Sequence, residues 1–137
     1  MEQKDYLLRE IEKIGLILRA IRIALTGGSE NMAVRAEKHN SNAKNMLRDQ
    51  LNFDIEAFMV MNASDSACYM NQFKGFDTNN IDMLADVIVG MATTTTGDES
   101  LKYYEKALFL LEYSNDKSKT FSMERENMIS TLKFHLS

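Results

Sequence analysis

Few side chains in this sequence have types that do chemistry, and their spacing gives them little to work with. The chain carries two histidines and one cysteine. His39 has no Asp, Glu, His or Cys three or four residues away, so a metal at its imidazole would need ligands from other helices. His135 stands two residues before the last, where a helix end is expected to fray. Cys68 lies between Ala67 and Tyr69. A nucleophilic thiolate needs a neighbouring base or positive charge, and these neighbours supply none, so a buried or idle thiol is expected. Paired carboxylates can hold a metal or exchange protons, and Asp82 with Asp86 forms a same-face couple at i and i+4. Di-iron bundles combine such acids with Glu-x-x-His motifs, which the sequence lacks. Asp82 also falls in a first helical turn, where an acid suits the helix dipole. The hydroxyl run Thr93 to Thr96 belongs to no phosphate loop of the form GxxxxGK[ST], and threonines at a helix end bond back to carbonyls. These residues predict a chain that is not an enzyme and has no metal or cofactor site.

The elements that would position any site are helical. The sequence has 137 residues, the length of one domain, and a proline count of zero where roughly seven would be average. Proline breaks helix interiors, so its absence favours long helices with short connections. One cysteine rules out an intrachain disulfide framework and fits a reducing cytoplasm. The charged start, MEQKDYLLRE, does not read as a signal peptide, and no apolar run approaches the roughly 18 residues of a membrane span. Residues 1–50 hold nine basic and seven acidic residues, a net +2, and residues 51–137 hold seven and thirteen, a net −6. Neither half has the dense basic patch that phosphate backbones require, so no nucleic-acid partner is expected.

An all-α fold of about six or seven helices in an antiparallel array is legible within a single domain spanning 1–137, with the middle helices at 29–76. The first runs from about Asp5 to Leu25. Its seam is Leu7, Ile11, Ile14, Leu18, Ile21 and Leu25, the alternating four-three spacing of packed helices. Gly27-Gly28 suits its end, and Ser29 suits the cap of the second helix. A third helix runs from about Asp54 through Met61, and a fourth begins at Ser64 or Asp65. The turn Lys74-Gly75-Phe76-Asp77-Thr78 holds an N-cap candidate for a helix carrying Ile81, Leu84, Ala85, Ile88 and Met91. Gly97-Asp98 breaks the chain before a helix with Leu101, Tyr104, Ala107, Leu108 and Leu111 that ends near Asn115. After a polar loop, Asn115 to Lys119, the last helix starts near Thr120 or Ser122.

The helix pair at 79–115 resembles one tetratricopeptide motif. VGMATTTTGD, Val89 to Asp98, has the spacing of that repeat's first helix and turn, and SLKYYEKAL, Ser100 to Leu108, looks like its second helix. Ser100, Tyr104 and Ala107 stand at the small, aromatic and small positions. The chain departs from the repeat by two residues missing between Asp98 and Ser100, and by the lack of a closing proline near Glu112. A lone repeat cannot bury its own faces, so the other helices must flank it. DYLLREIEKI near the start, the tetratricopeptide-like centre and SKTFSMER near the end together resemble a small uncharacterised bacterial family, a domain of unknown function. That resemblance implies a helical-repeat-like fold, and it supplies no established activity and no functional residues.

Helix one poses the functional question. Leu16 and Ile23 fall opposite its seam, at positions that a simple surface helix makes polar. Two covers are possible: a second helix of the same chain, which would make helix one central, or the same surface of a second copy. The second, favoured because an N-terminal helix lies more easily at an edge and large exposed apolar patches are rare on monomers, predicts a homodimer, with Leu16 and Ile23 as the self-association surface and the chain as a non-catalytic interaction or scaffold module whose further protein partner is unknown. The alternative is an adaptor that binds a peptide or small ligand in a groove lined by Tyr103, Tyr104 and Phe109.

Overall fold

The computed structural model describes residues 2–26 and 32–137. Among them are seven α-helices and no strand: α1 (Glu2–Thr26), α2 (Met32–Leu51), α3 (Ile55–Met59), α4 (Ala63–Asn71), α5 (Thr78–Thr93), α6 (Gly97–Ser118) and α7 (Met123–Leu136). The all-α class is the one the periodicity predicts. The expected Gly27-Gly28 stop and Ser29 cap lie outside the described residues.

Local chemistry sets most helix starts. The side chains of Asp54, Asn62, Asp77 and Ser122 each accept a backbone N–H from the first turn of α3, α4, α5 and α7, satisfying donors that the helix leaves open. Asn62 caps α4 ahead of the expected Ser64 or Asp65. At the end of α5, the Thr93 hydroxyl donates to the Gly90 carbonyl, and those of Thr94 and Thr95 donate to the Met91 carbonyl. This is the back-bonding expected of the threonine run. α6 continues three residues past the predicted end at Asn115. Lys119 closes it in the left-handed conformation, φ 57°, with its N–H on the Asn115 carbonyl. The supposed loop is held helical because Asn115 and Ser118 both accept from Arg125.

Helix directions follow from cross-helix bonds. Ser100 on α6 donates to the Ala92 carbonyl near the end of α5, and Ser114 donates to the Thr78 carbonyl at its start. α5 and α6 are therefore an antiparallel hairpin. Asn115 to Glu126 and Tyr104 to His135 make α6 and α7 a second one. α1 runs in the same direction as α5, with Asn80 bonded to the Ile11 carbonyl and Arg22 to Asp86. That parallel placement is possible because the α2–α4 segment supplies a long crossover.

Of the α1 seam, Ile14, Leu18, Ile21 and Leu25 are buried, but Leu7 is 38% exposed. α5 begins opposite Ile11, so it has no turn left to cover Leu7. Gly75 lies against this junction. A Cβ there would stand 2.5 Å from Ile14 Cδ1 and 2.9 Å from Glu10 Cγ. The segment between α2 and α5 is held by aromatic rings: Phe53 packs against Phe58, Tyr69, Phe73 and Phe76 with centroids 5.3–6.0 Å apart. Tyr69 also accepts the Asp54 N–H through its hydroxyl. Short helices gain little from propensity alone, and this cluster anchors α3 and α4.

Candidate interaction surfaces

Of the residues that looked able to do chemistry, Asp82, Asp86 and His135 are in structural use. Asp82 and Asp86 do not share a ligand. Asp82 receives Arg125 from α7, and Asp86 receives Arg22 from α1 at 2.9 Å. α5 sits between two helices, and each acid ties it to one of them. Cys68 is exposed on α4, not buried, because α4 turns Ser66 and Met70 inward instead. His135 is not frayed. It lies within α7, and its ring stacks on Tyr104 at 4.8 Å with planes 4° apart. His39 is half-buried on α2. No cluster of three His, Cys, Asp or Glu side chains fit for a metal occurs among the described residues. Nor is any described helix long and apolar enough to cross a membrane.

The outer face of α1 is the most distinctive surface. Each helical residue advances by roughly 100°, so Leu16 and Ile23 project opposite Ile14, Leu18 and Ile21. The side chains are exposed by 64% and 65%. Leu8, at 51%, extends the same face toward the N-terminus. Glu12 and Arg19 lie between these apolar positions and are exposed. Tyr6, Val60, Leu101, Phe121, Met123 and Phe134 are exposed as well, but they are spread over α1, α6, α7 and the residues that flank α3 and α7. Scattered apolar side chains are ordinary on any surface, and an aligned set on one helix is not.

Tyr103, Tyr104 and Phe109 do not converge on one groove. Their positions on α6 point them three ways. Tyr103 is buried, Tyr104 lies under His135, and Phe109 stacks on Tyr113 at 5.9 Å. Tyr103 alone lines a cleft, of about 440 Å³, with Ile55 and Met59 from α3 as its other apolar walls. Lys44, Glu56, Glu99 and Lys102 give the cleft a rim of mixed charge.

One feature of α6 was missed in the sequence. Lys106 is only 8% exposed. Its Nζ donates to the Met61 carbonyl at 2.8 Å and to Ser66 Oγ at 2.6 Å, and it sits 4.5 Å from the Phe58 ring centre. Burial pushes its pKa below the usual lysine value. Carbonyl, hydroxyl and ring face together stabilise an ammonium out of water, so this lysine is a clasp between α6 and the α3–α4 segment. The signal was present: Lys106 interrupts the stripe Tyr103, Ala107, Leu110.

No protein-family model, no curated protein and no solved structure matches this chain.

Proposed function

We propose that this chain is a non-catalytic helical interaction module that self-associates through the outer face of α1. The observation that carries the reading is the exposure of Leu16 and Ile23 one above the other, on the side of α1 turned away from a complete core. Covering one such side chain contributes on the order of 1.5–3 kcal/mol. The engagement of Asp82, Asp86, Lys106 and the threonine run in internal bonds supports a structural role for them. The tetratricopeptide likeness of the α5–α6 hairpin belongs to the same proposal, since helical-repeat units present surfaces to other proteins. So does the reducing, cytoplasmic compartment suggested by a single cysteine.

The test is mass by light scattering, with thermal melting on the same samples. The native chain is expected to move from 15.7 kDa toward twice that mass as its concentration rises. Leu16→Glu combined with Ile23→Glu should keep it monomeric with an unchanged melt, whereas Ile14→Glu should unfold it, because Ile14 is in the core. If the paired surface variant melts like Ile14→Glu, the outer face belongs to the domain's own core and the reading is wrong.

A second reading has its own observation. The Tyr103 cleft falls in the size range of small-ligand sites, roughly 300–1,000 Å³, and combines apolar walls with charges of both signs. It suits a zwitterionic ligand or a peptide end, which makes the chain an adaptor. Lys102→Glu and Glu99→Lys should then alter capture of short charged peptides without changing the mass.

A further inference from the structure

The outer stripe of α1 runs Leu8, Glu12, Leu16, Arg19, Ile23, and all five residues are exposed. It has an internal symmetry. Leu8 and Ile23 are equidistant from a midpoint between Gly15 and Leu16, and Glu12 and Arg19 are equidistant from the same point. At about 1.5 Å per residue, the apolar pair stands about 11 Å to either side and the charged pair about 5 Å. A half-turn about an axis through this point, perpendicular to the helix, carries Leu8 onto the level of Ile23 and Glu12 onto the level of Arg19. The stripe is thus complementary to a rotated copy of itself. Apolar meets apolar at both ends, and opposite charges meet on both sides of the centre.

We infer that α1 pairs antiparallel with α1 of a second copy, across a two-fold axis at this midpoint. The inference rests on the self-association proposed above and names its geometry. An interface of this kind uses one patch twice, so every contact occurs in two equivalent versions. Leu16 meets its counterpart at the axis. Two Glu12–Arg19 pairs flank it, and two Leu8–Ile23 contacts close the ends. A parallel pairing sets Glu12 beside the partner's Glu12 and Arg19 beside the partner's Arg19, and like charges face to face oppose it. One helix face falls short of the roughly 800 Å² per partner of a standard interface. The dimer is therefore weak and concentration-dependent.

Charge exchange tests the register. Glu12→Arg sets the new charge against Arg19 of the other copy at both symmetric positions, and Arg19→Glu does the same with Glu12. Each variant alone should dimerise about tenfold more weakly than the native chain, as expected when two exposed ion pairs turn repulsive. Mixing the two in equal amounts should restore native affinity to within about twofold. In the mixed dimer the two substituted positions attract each other, and so do the two native ones. Both substitutions are on exposed residues, so each melt should match the native one. Sedimentation velocity, with one variant fluorescently labelled, reads the heterodimer directly. A native chain that remains at 15.7 kDa at concentrations on the order of hundreds of micromolar overturns the self-association reading together with this register. A native dimer that Leu16→Glu abolishes, but whose weakened variants do not recover on mixing, leaves self-association standing and overturns the antiparallel pairing.

Discussion

Arg125 holds Asp82 across 43 residues of sequence with two N–H donors, Nε shared between both carboxylate oxygens at 3.0 and 3.1 Å and Nη2 at 2.9 Å. The guanidinium is nearly buried and the carboxylate about a quarter exposed. The remaining Nη1 bonds Asn115 and Ser118. One side chain from α7 is therefore fastened to both α5 and α6.

Removing the acid strands a guanidinium that cannot give up its charge. Asp82→Leu should cost about 3 kcal/mol of stability, at the lower end for a broken buried pair because the acid is partly wetted. Adding Arg125→Met should recover part of that loss, since the stranded charge is then gone. Arg125→Lys should cost about 1–2 kcal/mol, because one ammonium cannot reach Asp82, Asn115 and Ser118 together. Chemical denaturation of the native chain, Asp82→Leu, Arg125→Met and the double variant measures the coupling, and strictly additive losses would show that the two side chains do not act as a pair.

Lys106 predicts a pH dependence. Its folded-state pKa is lowered by burial, while the unfolded lysine titrates near the ordinary 10.5. Between those two values the unfolded chain binds more protons than the folded one, so stability rises with pH across that window. Below the lowered pKa both states are protonated and the contribution is flat. The stability difference between the native chain and Lys106→Met should therefore shift in favour of the native chain as pH is raised toward 10.5. At neutral pH the variant should lose about 1–2 kcal/mol, from the unmet Met61 carbonyl and Ser66 hydroxyl. A difference that does not change with pH would place the Lys106 pKa at its ordinary value.

Gly75 predicts a steric effect at the junction of α1 and α5. Gly75→Ala would put its Cβ 2.5 Å from Ile14 Cδ1 and 3.3 Å from the Glu10 backbone carbon. Ile14 is buried and has little room to yield, so a cost of about 1–3 kcal/mol is expected, as for other overpacked sites. Ile14→Val in the same chain should relieve part of it. Thermal melts of the two single variants and the double variant decide whether that contact is the cause.

Helix identity was legible because its causes are local. The Asp77 and Ser122 caps act within one turn, and the seam from Ile14 to Leu25 needs only the 3.6-residue period. The same period placed Leu16 and Ile23 opposite the seam, and the tertiary structure decided that this face is the exposed one. The period also separated Tyr103, Tyr104 and Phe109 around α6, although aromatic composition suggested a common groove. What the sequence could not determine were relations between helices distant in the chain. Arg22 finds Asp86 across 64 residues, and nothing local marks the partner. Leu7 fits the seam but lies beyond the first turn of α5, so it stays partly exposed. Lys106 is charged yet buried, because α4 and the turn that precedes it bring Ser66 and Met61 within reach of its amine. Periodicity assigns a side chain to one face of its own helix. Which neighbour covers that face, and where the neighbour ends, is set by tertiary packing.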